Sequence, residues 1–455
     1  MKRIYLVFFA FFAVTGIRAH APTEERAVPD GRDSVTLHEN KVTLDALVMS
    51  RGEIRSGGLP AEQSEKNNNR ANFVFERARL SLGYERDALE MKTTVQHQGV
   101  WGMESTNNTV SVYEAWVKLK TRFGLFTKIG RQELVYDDSR ILGNNDWSMV
   151  AKAHDVLKVG YEGYGHKVHA MFAYNQNAKN MNGGTFYHNG SQPYKTMQTL
   201  WYHYDVPKFP LSASLVFMNV GMQSGTEEYY ETLWQQLAGG YVVFAPKNLL
   251  LEGSYYRQFG DASIEYDVVR KMPIRAWMGS VKATYTIGDK HKVYGGFDYL
   301  SGDKYFVVPD EGDIGMILHK DITSFTSIFG SMHQFYGAMD FFYVSAYYGT
   351  YSPGLQNAYI GGVVKPLQNL SVDVAYHYMA TATNLHRLDM TLGHEVEITS
   401  SYKIMKDVSV SLGYSYMKGS KTMEKLKRST GRHDLQWAWL MLAVNPRIFT
   451  TKWHN

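Results

Sequence analysis

The chain contains no cysteine. For an exported protein this excludes both a disulfide framework and the lipidated cysteine of a lipoprotein, so stability must come from hydrogen bonding and packing. Long apolar runs are scarce as well. Ile4 to Ile17 follows Lys2 and Arg3 and precedes an Ala19-His20-Ala21 cleavage pattern, so residues 1–21 are expected to be a secretory signal peptide, with the mature chain starting near Pro22. That run is shorter than the ~20 apolar residues of a membrane-spanning helix, and nothing later in the chain supplies such a stretch. Strong charge is missing too. Removal of Lys2, Arg3 and Arg18 takes the formal net charge from +4 to +1, which argues against nucleic acid as a partner.

Catalytic signatures are also lacking. There is no cysteine nucleophile, no Gly-x-Ser-x-Gly elbow and no His-Glu-x-x-His zinc motif, so an enzyme is not expected, nor a cofactor or a metal. His333 and His394 lie beside carboxylates but read as hydrogen-bonded packing residues. Asp137, Asp138, Asn144, Asn145 and Asp146 lack EF-hand spacing and read as loop-internal hydrogen bonding.

What is present is aromatic residues at 14%, 40 glycines and a recurring period of two. Val372, Val374, Tyr376 and Tyr378 alternate with Ser371, Asp373, Ala375 and His377. Leu80, Leu82 and Tyr84 alternate with Arg77, Arg79 and Ser81, and Val408, Val410, Leu412, Tyr414 and Tyr416 with Ser409, Ser411, Gly413 and Ser415. One face suits lipid and the other water. Since a backbone in lipid must satisfy its own polar groups, a membrane chain without apolar helices is expected to close into a barrel. The alternative is a large soluble β-protein of the periplasm.

The connections favour the barrel. Short turns at Glu85–Ala88, Thr121–Gly124, Glu162–His166, Asp205–Pro210, Ala245–Asn248, Gly288–His291, Lys365–Asn369 and Met405–Asp407 take turns with long segments. The long ones include Ser56–Arg70, Leu134–His154, Asn175–Met197, Phe259–Ile274, Ser301–Gly354 and Lys418–His433. Eight short and nine long connections join eighteen strands, or sixteen if a weak strand in Glu227–Phe244 or Phe335–Tyr351 is misread. The expected fold is all-β, a transmembrane antiparallel barrel over residues 41–455 preceded by a periplasmic leader over 22–40. Leu142, Trp147 and Met149 in Leu134–His154 predict that this loop folds inward or across the mouth.

A barrel of this size encloses water, so charges alternating with apolar residues are expected to line it. Arg51, Glu53 and Arg55 oppose the phase of Leu44, Ala46 and Val48. Arg77 and Arg79 follow, then Glu90, Lys92, Glu114, Lys118, Lys120, Lys128 and Lys158. Lysine or arginine facing lipid would cost ~2–4 kcal/mol at mid-membrane, which favours the inward assignment. Guanidinium groups suit a carboxylate-bearing sugar because their planar fork of donors stays charged. The competing reading is that these groups pair internally, Arg51 with Glu53 for instance, and keep a wide barrel wet.

Gly130-Arg131-Gln132-Glu133-Leu134, running through Asp137, Asp138, Ser139 and Arg140 to Asn145-Asp146-Trp147, resembles the signature of the alginate-export family of outer-membrane porins. Ser301-Gly302-Asp303, His333 to Asp340 and Gly393-His394-Glu395-Val396-Glu397 extend the resemblance from Arg77 to Trp439. It implies a single-chain barrel of about eighteen strands with an arginine-rich constriction, narrowed by inward loops, that passes an anionic polysaccharide. Carried over, Arg77, Arg79, Arg131 and Arg140 would form the constriction, with Arg51, Arg55 and Lys158 as a second ring. Lys158 stands where the family usually has arginine, and His154 where an aromatic residue is common. Glu53, Glu114, Glu133, Glu395 and Glu397 would either hold the cations in place or make the lumen mixed enough for neutral sugars. The expectation is thus a Gram-negative outer-membrane channel. Its partners would be membrane lipid, an anionic sugar or oligo- or polysaccharide, and a periplasmic export or uptake partner. Two alternatives remain, a barrel-anchored surface receptor or adhesin acting through its long loops, and an uptake channel for hydrophobic substrates.

Overall fold

The structure, a computed structural model, describes residues 39–56, 70–103, 109–176, 182, 185–187, 192–265, 269–288, 290–303, 321–342, 352–385, 388–427 and 434–454. The expected signal peptide and nearly all of the leader lie outside the described residues. Glu39 and Asn40, expected in the leader, already belong to the first strand.

Each strand pairs antiparallel with its neighbours in sequence. They are β1 (Glu39–Ser56), β2 (Arg70–Arg86), β3 (Leu89–Val100), β4 (Thr109–Lys120), β5 (Leu125–Gln132), β6 (His154–Gly163), β7 (His166–Tyr174), β8 (Thr196–Asp205) and β9 (Leu211–Gly225). There follow β10 (Tyr230–Phe244), β11 (Leu249–Glu265), β12 (Val269–Ile287), β13 (His291–Leu300), β14 (Leu355–Leu367), β15 (Leu370–Ala380), β16 (Thr391–Met405) and β17 (Val408–Gly419). The last pieces, β18 (Asp434–Val444) and β19 (Arg447–His454), run end to end along β1 and are two halves of one strand. Pro446, which has no N–H to donate, marks the break between them. The result is a closed barrel of eighteen strands.

All eight short turns fall where the alternation places them. Tyr164-Gly165 shows why so few residues suffice. Both have positive φ, 53° and 82°, the geometry of a two-residue hairpin turn whose twist matches its strands. One long connection does not hold: Phe259–Ile274 is mostly strand, with β11 and β12 paired out to Glu265 and Val269.

Leu80, Leu82, Tyr376 and Leu412 are exposed on the outer face, in phase with Tyr84, Val372 and Val408. The inner face carries the polar residues and also a packed core, because two segments fold into the lumen. Residues 133–153, between β5 and β6, contribute Leu134, Tyr136 and Leu142, and residues 321–342 contribute Phe325, Phe329, Tyr336, Phe341 and Phe342. Leu142 and Phe329 form a parallel bridge, flanked by Gly143 N–H to Phe329 O at 3.0 Å and Ser331 N–H to Ser139 O at 2.9 Å. A short helix, α1 (Lys421–Lys427), buries Met423 and Leu426 in the same core.

Candidate functional site

The apex of the 133–153 loop is held against the wall made by β1 and β2. Asp146 takes ion pairs from Arg77 at 3.2 Å and Arg79 at 2.8 Å, and Arg77 also donates to the Ser148 carbonyl at 3.0 Å. Arg51 donates to the Trp147 carbonyl at 3.1 Å, and its guanidinium lies 4.0 Å from the Trp147 ring and 4.3 Å from Phe75. Trp147 stacks on His333 of the second loop, centroids 4.5 Å apart. Glu53 is shared within the wall, accepting from Arg51 at 2.8 Å, Arg55 at 2.9 Å and the Trp437 indole at 2.9 Å. Arg51, Glu53, Arg55, Arg77 and Arg79 therefore face the lumen, where Arg51, Arg77 and Arg79 hold the loop in place and Arg55 and Glu53 pair within the wall. Arg77 Nε and Arg79 Nη2 keep spare donors, and beside them lies a cavity of about 590 Å³ that also reaches Asp45, Ser81, Lys403 and Lys406.

Arg140 is deeper. Its guanidinium sits among Asp138 at 3.1 Å, Asp298 of β13 at 3.2 Å and the Tyr336 hydroxyl at 2.7 Å, stacked 3.8 Å from Phe335. Burial works against its charge, but Tyr336, Asp298 and Asp138 outweigh that penalty and hold the group above its ordinary range. It acts as a rivet joining two loops to the wall. On the other side, Glu395 and Glu397 of β16 accept the consecutive N–H groups of Met339 and Ala338 at 2.9 and 2.8 Å. Asp303 accepts the N–H groups of Thr323, Ser324 and Ser352 at 2.9, 3.0 and 2.9 Å. Asp298 and Asp303 were absent from the expected site. The signal for Asp298 was a lone carboxylate in the inward phase of Phe297-Asp298-Tyr299.

A different set of cations is left unpaired. Lys118, Lys128 and Lys158 lie directly opposite one another on β4, β5 and β6. Among the described residues, none has a carboxylate within ion-pair distance. They rest instead on aromatic faces: Lys118 4.7 Å from Phe126, Lys128 3.6 Å from Trp116 and Lys158 5.6 Å from Tyr136. Neighbouring cations are matched, Lys120 with Glu90 at 2.6 Å and Lys92 with Glu114, which also accepts from the Trp116 indole at 3.0 Å. Like charges facing each other across strands oppose folding. A row of three implies another use for the charge.

Arg131 corrects the expectation. Phe126, Lys128 and Gln132 fix the inward phase of β5, so Arg131 shares the outer phase of Leu125 and Ile129. There it pairs with Asp155 at 2.9 and 2.7 Å through both arms of the guanidinium. It does not line the lumen.

The architecture is that of solved outer-membrane porin barrels. Acinetobacter baumannii OccAB1 is similar with a TM-score of 0.58 at 14% identity, over 90% of this chain and 97% of that one. Pseudomonas aeruginosa OccK3 (OpdO) gives 0.55 at 13%, over 89% and 96%, and the outer membrane protein opdK from Pseudomonas aeruginosa gives 0.57 at 10%, over 91% and 99%. At these identities the likeness carries the fold. No family model matches the chain, and no curated protein matches it in sequence.

Proposed function

We propose that this chain is a channel of a Gram-negative outer membrane that passes hydrophilic anionic solutes, carboxylate-bearing sugars and their oligomers among them. The observation that carries the reading is the row of Lys118, Lys128 and Lys158, three facing inward cations without a carboxylate partner among the described residues, whereas Arg51 and Arg55 share Glu53 and Arg77 and Arg79 share Asp146. In a confined aqueous pore such a row raises the local concentration of anions. The motifs resembling the alginate-export family make an alginate oligomer one natural member of this class. The loop network favours a narrow path, because Arg140, Asp146 and Glu395 tie the inward loops to three sides of the wall. The adhesin alternative loses support, since the described part of Ser301–Gly354 packs inside the barrel.

The test is single-channel conductance in planar bilayers with glucuronate, an alginate oligomer and glucose as added solutes. Glucuronate or the oligomer should interrupt the current at concentrations where glucose does not. Equal block by glucose, or block by neither acid, would contradict an anionic solute.

A further inference from the structure

The outer face of β8 to β12 carries a polar strip at one level. Gln198, Asn219 and Gln236 face one another on β8, β9 and β10, with Asn219 Nδ2 donating to Gln198 at 2.8 Å and Gln236 Nε2 to Asn219 at 2.8 Å. The strip continues into two exposed arginines. Arg257 on β11 is opposite Trp277, and Arg275 on β12 is opposite Phe259, so the guanidiniums stand diagonally on the same outward face between aromatic rings. Arg257 has no carboxylate within ion-pair distance among the described residues. Among the described residues the carboxylate that Arg275 meets is Asp321, at 3.7 Å, with the Arg275 side chain 68% exposed.

Their height can be read from the strands. Asn219, Gln236 and Arg257 are each eight residues from Leu211, Phe244 and Leu249, the short-turn ends of their strands. At ~3.3 Å per residue and a tilt of ~40° this is a rise of ~20 Å, close to the outer edge of an apolar band ~25 Å tall. Arg275, twelve residues from Ile287, stands above it. Tyr255, Phe259 and Trp277 mark the same level, as interfacial aromatic residues do.

We propose that Arg257 and Arg275 bind the phosphate-bearing headgroup of a lipid in the leaflet on the long-loop side. This rests on the membrane reading above. A planar guanidinium fork matches phosphate oxygens, and an arginine placed at the interface escapes the mid-membrane penalty while still meeting lipid. A second copy of the chain meeting the strip across a twofold axis would set arginine against arginine, which disfavours it as the occupant. Arg131 offers an internal contrast, being an outward arginine already satisfied by Asp155.

The experiment is native mass spectrometry of the full chain in detergent, titrated with diphosphorylated lipid A and, separately, with zwitterionic phosphatidylethanolamine. The wild type and Arg131→Gln should bind lipid A alike. Arg257→Gln with Arg275→Gln should bind it roughly 30-fold more weakly, at the usual contribution of a cation near anionic lipid. Equal binding by the double variant, equal binding of phosphatidylethanolamine, or a wild-type oligomer that the double variant dissolves would overturn the proposal. Conductance of both proteins in bilayers separates the two readings. Conduction that the double substitution leaves unchanged shows an intact channel, whereas a silent wild type contradicts the channel while lipid A binding remains readable.

Discussion

Asp146 is the residue on which the narrowing of the lumen turns. Its side chain is 46% exposed, yet it is the counter-ion of Arg77, which is 1% exposed, and of Arg79. Removing one member of such a buried network strands the others, so the loop apex and the wall are coupled. Asp146→Ala should release the apex, widen the pore and free two cations. Single-channel conductance should rise, and anion selectivity should rise with it. Unchanged conductance would mean that Trp147 and Arg51 hold the loop without the ion pairs. The inward phase of Arg77 and Arg79 was legible from alternation alone, but their partner was not, because Asp146 lies 67 residues from Arg79 along the chain. Likewise Trp437 reaches Glu53 from 384 residues away. The outward phase of Arg131 is legible in the sequence. Once Lys128 is set inward, strict alternation puts Arg131 outward, and only the motif placed it in the constriction.

At the scale of elements, the stretches from Gly130 to Trp147, Ser301 to Asp303, His333 to Asp340 and Gly393 to Glu397 act as loop anchors. Arg140, Asp146, Asp303, Glu395 and the His333–Asp340 stretch all meet where the 133–153 and 321–342 segments touch the wall. Gly337 is a close approach between the 321–342 segment and β16. It has φ +86°, and a Cβ there would lie 2.4 Å from Glu395 Oε2 and 2.5 Å from Met379 Cε. Gly337→Ala should therefore push the 321–342 segment off β16 while leaving the barrel intact. The expected signature is noisier open-channel current with an unchanged heat-induced gel shift, and a quiet channel would show that the loop absorbs the methyl. The same packing explains why Phe259–Ile274 is a strand pair and not a long loop. Met272, Ile274, Ala276 and Met278 face inward against the loops, while Lys271 and Arg275 face outward above the apolar band. The polarity of the alternation is reversed there, so a strand reads as a polar loop. Where the inward residues are mostly polar or small, as at Ser371, Asp373, Ala375 and His377 of β15 and Ser409, Ser411, Gly413 and Ser415 of β17, the ordinary polarity holds and the strands are legible.

Over the whole molecule the chain separates three environments: an outward apolar belt, an inward wall whose charges fasten the loops, and an inward lysine row that the proposed channel presents to solute. The first followed from period and turn lengths. The division of the inner cations between fastening and passage did not, since it depends on which strands become neighbours of which loops. Lys118, Lys128 and Lys158 carry the central claim, because they face one another across three adjacent strands without a carboxylate partner among the described residues. The most direct test is the reversal potential across a KCl gradient near ~0.1 M, where the Debye length of ~10 Å leaves the row unscreened, for the wild type and for Lys118→Gln, Lys128→Gln, Lys158→Gln combined. The wild type should prefer chloride, the triple variant should lose most of that preference, and both should approach indifference at ~1 M salt, where the Debye length is ~3 Å. A cation-selective wild type, or a triple variant whose reversal potential does not move, would contradict the account.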